Sequence, residues 1–365
     1  MPHADMLGAP LRGSPRPPPG RYPFPSYPSG WYAVAFATDV PPGRLLSLRY
    51  FGRELVLYRT AGGTPVLASA FCPHMGAHLG HGGVVFGERL RCPFHHFEFD
   101  GGGACVATPY GQGPPAHARL ETWPLKERDG ALLVYHDDLG RKPQWEPPAI
   151  EWDASWGPLL THRFEVASHP QETTENSVDT GHLISVHGFR ELETLAPLTL
   201  DGPHLSVSYA VTRSASFPRP RDVRAEFQIS ASGLGWSFVD VTVKDLGLRT
   251  RQFVYATPID RERIHLRLAT RVGPVTRPSR VHPALALLPA AAVQRVISWL
   301  SHRQYLRDVA QDFAVWEHKS YVDPPAVASG DGPIVRYRRW ARQFYVEGAE
   351  AVGHESAVAG FAQGR

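Results

Sequence analysis

Short apolar runs alternate with turn-forming residues over the first part of the chain, from Trp31 to about His136. The runs are WYAVAFA, LLSLRYF, ELVLYRT, PVLASA and ALLVYH, and Pro, Gly or Asp residues separate them. Short apolar or alternating runs bounded by turn formers are typical of β-strands. We therefore predict an antiparallel all-β domain, and we place it at residues 29–137.

A different pattern follows a segment with three prolines and little periodicity, DDLGRKPQWEPPAIEWDASW at residues 137–156. A polar segment at residues 171–187 is predicted to be helical, and five longer alternating runs between residues 204 and 272 are predicted to be strands. From about residue 291 to 316, apolar residues recur at helical spacing. We predict an α+β domain at residues 138–348, with helices flanking a large antiparallel sheet in a helix-grip-like arrangement.

The ends of the chain lack these patterns. Residues 1–28 are dense in Pro and Gly and contain no apolar core segment, which predicts a disordered arm rather than a signal peptide. Residues 349–365 are predicted to be a flexible tail. The most apolar run, HPALALLPAAAVQRVISWL at 282–300, is interrupted by Pro289, Gln294 and Arg295. It falls short of the roughly 20 apolar residues that a membrane span needs, so we expect a soluble protein.

Charge and cysteine content exclude some classes of function. The net charge is only +3 in 365 residues, and Lys and Arg are scattered along the chain, so nothing favours nucleic-acid binding. The chain has three cysteines. This odd, low number fits the reducing cytoplasm better than a disulfide framework.

All three cysteines lie in one segment that is rich in histidine and glycine, from Phe71 to Val106. In it, Cys72-Pro73-His74 and Cys92-Pro93-Phe94-His95 are separated by 17 residues. Two loops that each offer a thiolate and an imidazole can hold a pair of metal atoms. In a Rieske [2Fe–2S] centre, two Cys bind one iron and two His bind the other. We therefore predict Cys72, His74, Cys92 and His95 as cluster ligands.

A mononuclear zinc site is the main alternative, because two Cys and two His also satisfy tetrahedral zinc. Zinc fingers, however, usually carry both thiolates of a pair in one loop, which is not the arrangement here. The remaining possibility is an unligated glycine-rich loop. Three nearby histidines do not fit the ligand spacing and are expected to be polar loop residues: His78, His81 and His96. Cys105 is expected to be a small buried apolar residue.

The segment CPHMGAHLGHGGVVFGERLRCPFHHFEFDGGGACVATPY resembles the Rieske domain of the Rieske non-haem iron oxygenases. Within that family it is most similar to the oxygenase component of 3-ketosteroid 9α-hydroxylase and to the cholesterol 7-desaturases. The resemblance runs from about Phe24 to Glu347 and includes DGPIVRYRRWARQFYVE near the C-terminus. It is strongest at the metal motifs and weak in the sheet between them.

A second set of candidate ligands lies in QETTENSVDTGHLISVHG, where Glu175, Asp179, His182 and His187 follow the spacing E-x₃-D-x₂-H-x₄-H. Non-haem Fe(II) oxygenases hold their iron with two His and one carboxylate. His182 and His187 would point about 140° apart on a regular helix. They can converge on one ion only if the helix breaks between them. A surface helix with scattered His and acidic residues is the alternative.

The resemblance implies the third ligand and the supporting residues. The family's carboxylate falls on Asp312, with Asp308 and Glu317 as competitors. Asp179 matches the acid that, in the family's ring-like trimer, joins a cluster histidine of one subunit to an iron-bound histidine of the next. We expect Glu175 and Asn176 to support these ligands. An apolar substrate pocket is expected to be lined by Leu183, Val186, Phe238, Phe253 and Trp316.

The implied activity is that of a terminal monooxygenase. A ferredoxin-type reductase would pass electrons from NAD(P)H to the cluster, and the cluster would pass them to the mononuclear Fe(II). There, O₂ would be used to hydroxylate or desaturate a hydrophobic, sterol-like or steroid-like substrate. The CPFHH string also occurs in arylamine-oxidising members of the family, so that an aromatic or arylamine substrate is an alternative. A non-catalytic Rieske electron-transfer protein is an alternative of a different class.

Overall fold

The alternating runs of the first half form small antiparallel sheets, which confirms the predicted β domain. The computed structural model describes residues 20–215 and 221–346. The strands of this half are β1 (Gly30–Phe36), β2 (Leu45–Tyr50), β3 (Arg53–Arg59), β4 (Pro65–Ser69), β5 (Val84–Phe86), β6 (Arg89–Arg91), β7 (Glu98–Phe99), β8 (Cys105–Ala107), β9 (Leu125–Arg128) and β10 (Ala131–His136). The sheets have the strand orders β1-β10-β9, β2-β3-β4 and β5-β6-β7-β8.

The second half is built around one large antiparallel sheet with the strand order β11-β17-β16-β15-β14-β13-β12. Its strands are β11 (Leu160–Val166), β12 (Arg190–Asp201), β13 (His204–Ala215), β14 (Arg221–Ser232), β15 (Trp236–Val243), β16 (Leu248–Pro258) and β17 (Ile264–Val272). The helices are α1 (Pro170–Glu175), α2 (Thr180–Ser185), α3 (Pro278–Val281), α4 (Ala290–Ala310), α5 (Phe313–Trp316) and α6 (Ile334–Ala341). The α+β prediction is therefore confirmed, and α4 packs on β17 and β11.

Both predicted helices of this half are interrupted. The segment at 171–187 forms α1 and α2, and the long stretch near 291–316 forms α4 and α5. Asp179 is the N-cap of α2, and Asp312 is the N-cap of α5. Each interruption thus places an aspartate at the start of a short helix. A single regular helix would instead have spread the acidic and histidine side chains around its surface.

The two halves share one hydrophobic core, because β1 and β10 pack against the large sheet. The core combines Trp31 and Leu133 of the first half with Trp236 and Phe253 of the second, and Trp145 of the crossing segment packs against it. This shared apolar core fixes the first domain on the sheet.

A buried arginine adds polar contacts to this junction. β1 has a register irregularity between Ala33 and Ala35. Arg267 of β17 is 1% exposed and donates to the carbonyls of Ala33 and Val34 at 2.8 and 2.5 Å. The guanidinium thus satisfies acceptors of the irregular strand that would otherwise be buried in an apolar core.

The N-terminal arm differs in part from its prediction. Residues 1–19 and the predicted tail at 349–365 lie outside the described residues. Residues 20–28, however, pack on the second domain: Arg21 donates to the carbonyl of Glu317 at 2.5 Å, and the ring of Phe24 lies 4.5 Å from that of His169. Aromatic contacts hold this segment in place despite its prolines. Within the described residues, no helix has the length and apolarity needed to cross a membrane.

Candidate metal centres

Two loops of the same shape carry the four predicted cluster ligands. The backbone N–H of Cys72 donates to the carbonyl of Ala77, and that of Cys92 donates to the carbonyl of Phe97, each at 2.9 Å. The fourth residue after each cysteine has a positive φ, +75° at Gly76 and +53° at His96. A non-glycine residue seldom adopts this conformation, so the turn constrains the backbone of His96, whose side chain is exposed.

The thiols lie inside and the imidazoles lie towards the surface. Cys72 and Cys92 are each 2% exposed and belong to one buried cluster. Burial, together with the neighbouring Cys92, raises the pKa of Cys72 to about 11. The rings of His74 and His95 lie 4.7 Å apart, and Nδ1 of His95 is buried without a hydrogen-bond partner. Buried thiols and an unpartnered imidazole nitrogen are the donors that a metal cluster takes up.

The other residues of this segment lie outside the ligand set. His78 forms an ion pair with Glu54 at 3.1 Å, and its ring contacts His81 at 4.5 Å. Cys105 is buried in the same core, with Sγ 3.6 Å from the carbonyl of Ala107. These positions agree with the expectation of polar loop residues and a small buried cysteine.

His182, His187 and Asp312 converge in the second domain. Their ligand atoms all lie within 4.8 Å of one another, and among the described residues this is the group whose geometry suits a single ion. The histidine rings are 5.1 Å apart, and Nε2 of His187 lies 3.6 Å from Oδ2 of Asp312. Two imidazoles and one carboxylate are the donor set of a non-haem iron site.

The predicted break between the two histidines is present. α2 ends at Ser185, and Gly188 has φ +65°. The N–H groups of Gly188 and Phe189 donate to the carbonyls of Ile184 and Leu183, which closes the helix end. His187 therefore leaves the helical path and turns its ring towards His182.

The protonation states of His182 and Asp312 favour the binding of a cation. Burial, followed by the neighbouring His187, lowers the pKa of His182 to about 4, so its imidazole is neutral at neutral pH. Burial raises the pKa of Asp312 to about 6, although His187 and a hydrogen bond from Asn176 both lower it. A bound cation would favour the ionised carboxylate, because it would offset the desolvation of the negative charge.

Asp179 was expected to contact the His182 imidazole through its carboxylate, but within the chain its backbone carbonyl makes this contact. Its Oδ1 accepts from the backbone N–H of His182 at 3.0 Å and lies 3.9 Å from the imidazole Nδ1. The backbone carbonyl of Asp179 accepts from that Nδ1 at 2.5 Å. Within the chain, the carbonyl therefore orients the imidazole, whereas the carboxylate caps α2. Since Nδ1 carries the proton, Nε2 is free to bind a metal.

The other acidic residues considered as ligands or supporting residues do not join His182 and His187. Asp308 accepts from Nη1 of Arg213 at 2.7 Å, and Glu317 lies on the surface. Glu175 does not contact the ligands; it is buried and binds Nε and Nη2 of Arg338 at 2.6 and 2.8 Å. The structure thus brings Asp312, and neither competitor, to the two histidines.

The expected pocket residues are mostly core residues. Phe238 and Phe253 belong to the core shared by the two domains, Trp316 to a core under α4, and Leu183 to a core beside α6. Val186 is half-buried at the end of α2. Core packing is the alternative role for such apolar side chains, and a pocket lined by these five residues stays a prediction.

Gln311 is a supporting residue that the sequence analysis missed. Its Oε1 lies 2.9 Å from Nδ1 of His187. As an acceptor, it fixes the proton on Nδ1 and leaves Nε2 facing Asp312. The only signal in the sequence is its place directly before Asp312, and that does not reveal where its side chain points.

Replacing Gln311 by Leu is expected to weaken iron binding about 10- to 100-fold, because the His187 ring loses the acceptor that orients it. The iron that remains after competition with a chelator measures this effect. Gln311→Glu keeps an acceptor and should retain the metal. The matched control is Gln304→Leu, since Gln304 donates to Asp308 and not to a ligand. Equal iron retention in Gln311→Leu and the unmodified protein would contradict this role.

Comparison with known proteins agrees with both centres. Residues 30–124 match the Rieske [2Fe-2S] domain family, and residues 134–345 match the 3-ketosteroid 9alpha-hydroxylase C-terminal domain family. A cholesterol 7-desaturase from Bombyx mori is 31% identical over 88% of this chain and 70% of its own. The oxygenase component of a 3-ketosteroid-9-alpha-monooxygenase from Rhodococcus rhodochrous is 29% identical, over 87% of this chain and 84% of its own.

Solved structures share the fold. Dicamba monooxygenase bound to dicamba superposes with a TM-score of 0.61 at 21% identity, covering 86% of this chain and 96% of its own. NdmA from Pseudomonas putida CBB5 with caffeine gives a TM-score of 0.62 at 18% identity, covering 86% and 89%. The chain belongs to the Rieske non-haem iron oxygenases, as an oxygenase component related to 3-ketosteroid 9α-hydroxylase and cholesterol 7-desaturase.

Proposed function

We propose that this protein is the oxygenase component of a monooxygenase that oxidises a sterol-like or steroid-like substrate. The observation that carries the oxygenase role is the convergence of His182, His187 and Asp312 in a chain that also contains a Rieske domain. An electron carrier would need only the first centre. The substrate class is supported by relatives whose names refer to cholesterol and 3-ketosteroids.

The ligands follow from the donor atoms. Cys72 and Cys92 would hold the inner iron of the [2Fe–2S] cluster, and His74 and His95 the outer one. His182, His187 and Asp312 would hold the mononuclear Fe(II). When bound, the cluster supplies electrons and the Fe(II), which keeps open coordination positions, activates O₂.

The chain's own residues prepare this second site. The carbonyl of Asp179 and the amide of Gln311 each accept an imidazole Nδ1–H, so that both Nε2 atoms face the same point. The hydrogen bond from Asn176 holds the Asp312 carboxylate. These contacts fix the donors before a metal binds, which lowers the cost of ordering them.

A separate reductase and a trimer complete the proposal. An oxygenase component receives electrons from NAD(P)H through a ferredoxin-type reductase. The apolar side chains of Met75 and Phe94 stand 66% and 59% exposed beside His74 and His95. Exposed apolar residues next to a cluster favour contact with another protein surface. We propose that a neighbouring subunit contacts this surface. The Asp179 carboxylate of that neighbour would link the neighbour's His182 to a cluster histidine of the first subunit.

The test combines metal content and product analysis. Anaerobically reconstituted protein should carry about three irons and two inorganic sulfides per chain. It is then incubated with a surrogate reductase, NADH and a panel of sterols, 3-ketosteroids and arylamines. Mass spectrometry should detect the gain of one oxygen or the loss of two hydrogens on a sterol or steroid. Oxidation of arylamines alone would refute the substrate class, and two irons per chain would refute the oxygenase role.

A further inference from the structure

An apolar surface on and before α4 is not used by the fold. Five large side chains form it, and we refer to them as the α4 outer face. Their exposed fractions are 87% for Leu287, 45% for Leu288, 39% for Val296, 53% for Trp299 and 47% for Leu300. Val296, Trp299 and Leu300 are three and four residues apart and are therefore neighbours on the helix surface, and Leu287 and Leu288 precede the helix. Single exposed apolar residues are common on proteins, whereas grouped ones mark a surface that meets another apolar phase.

The helix does not need these residues for packing, because its opposite side faces the sheet. Val293, Ile297 and Tyr305 are 3%, 3% and 7% exposed, and they pack into the cores beside β17. At 100° per residue, Trp299 lies about 160° around the helix from Ile297, and Val296 about 180° from Tyr305. Leu300 lies close in angle to the buried Val293 and borders the packed side. α4 is therefore apolar on two sides, whereas a surface helix of a soluble protein is normally apolar on one.

The charges around the α4 outer face have a single sign. Residues 273–307 contain five arginines and no Asp or Glu. All five are exposed; they are Arg277, Arg280, Arg295, Arg303 and Arg307. The guanidinium of Arg303 lies over the ring of Trp299, 4.7 Å from its centroid. On α4 itself, Asp308 follows this range and binds Arg213. The acids on adjoining elements include Glu165 of β11, which pairs with Arg263, and Asp245 in the 3-10 turn Lys244–Leu246 that contacts α3. Asp153 lies two residues from the Ser155 carbonyl that Gln294 binds.

We propose that the α4 outer face docks on the surface of an anionic lipid bilayer. Leu and Trp side chains insert at the boundary between head groups and acyl chains, and arginines around them attract anionic lipids. A second copy of this chain is disfavoured as the occupant. A two-fold contact would set the arginines of the two copies against each other, and the contact proposed above for a trimer uses the surface at Met75 and Phe94 instead. The helix would lie on the membrane without crossing it, because it is not apolar enough to span one.

The location of this face connects it to the metal site. α4 has 21 residues and is about 31 Å long, and Asp312 follows its far end by two residues. Docking would thus hold the mononuclear site at a short distance from the bilayer, where a water-insoluble substrate is dissolved. This last step rests on the proposed substrate class, whereas the docking itself rests only on the exposed residues and their charges.

The experiment measures binding of the full, metal-loaded chain to vesicles by co-sedimentation. Vesicles of phosphatidylcholine alone are compared with vesicles that also contain phosphatidylglycerol. We expect binding to the anionic vesicles that weakens with added salt. The Trp299→Ser/Leu300→Ser double variant should bind at least about tenfold more weakly, and each of Arg295→Gln and Arg303→Gln about fivefold.

The controls separate this proposal from the proposed function. Val322→Ser removes a 59% exposed apolar residue elsewhere and should bind vesicles normally. The double variant should keep its iron content and its turnover of detergent-dissolved substrate, since it contacts no ligand. Absence of binding to anionic vesicles by the unmodified protein would overturn the proposal. So would a double variant that binds vesicles normally but changes its oligomeric state, because the face would then be a protein interface.

Discussion

Replacing Asp312 by Ala is expected to remove the mononuclear iron and to abolish product formation, with a loss of about 10³-fold or more. The variant lacks the carboxylate that completes the group formed with His182 and His187 among the described residues. Two imidazoles alone bind iron weakly and leave its charge uncompensated. The cluster lies in the other domain on four different residues, so its paramagnetic signal on reduction should persist. Iron analysis should therefore fall from about three to about two atoms per chain.

The matched control for this variant is Asp308→Asn. Asp308 sits one helical turn earlier and binds Arg213 at 2.7 Å instead of facing the histidines. The control should keep its iron and most of its activity, with some loss of stability from the broken ion pair. If Asp308→Asn lost the iron while Asp312→Ala retained it, the ligand assignment would be wrong. His187→Ala should behave as Asp312→Ala does.

The sequence pattern identified the central strands of the large sheet and missed its two edges. The alternating runs in the sequence coincide with β13 to β17, which have buried residues along at least part of their length. β12 is an edge strand, almost wholly exposed, with register irregularities and Pro197 in its interior. β11, at the other edge, is also largely exposed and polar. Because an edge strand buries little surface, its sequence carries little periodicity.

The proposed Cys and His ligands of both centres could be selected from the sequence because metal chemistry restricts residue type and spacing, whereas Asp312 was selected from the resemblance to the family. Cys72 and His182 stood out for this reason. The supporting contacts were not predictable, since they depend on the backbone path. The carbonyl of Asp179 reaches an imidazole only because the chain breaks between α1 and α2, and Gln311 reaches His187 only because α4 stops at Ala310. Propensity and periodicity do not specify such turns to the accuracy of a hydrogen bond.

The second large effect is expected at Asp179. This side chain has two functions that one substitution can separate. Its Oδ1 caps α2 by accepting from the N–H of His182, and 27% of the side chain stays exposed in the single chain. Asn caps a helix about as well as Asp. Asp179→Asn should therefore keep α2, the His182 contact and both metals, and remove only the negative charge.

We expect Asp179→Asn to lower turnover at least about 100-fold while iron and sulfide contents stay unchanged. The reason is the proposed link between subunits, in which one carboxylate oxygen accepts from the backbone N–H of His182 and the other would accept from a cluster histidine of the neighbouring subunit. An amide offers only one accepting oxygen and cannot replace it. Stopped-flow absorbance of the reduced cluster after mixing with O₂ and substrate should show slow reoxidation.

Burial raises the pKa of Asp179, and the nearby Asp331 raises it too, so Asp331→Asn is the control for the local charge. It should reoxidise its cluster at the normal rate. Asp179→Ala loses the cap as well and should be less stable by about 1 kcal/mol. Normal product formation by Asp179→Asn would mean that the carboxylate serves only as the helix cap. Electrons would then have to reach His182 through its backbone or its carbonyl contact, which the substitution leaves intact.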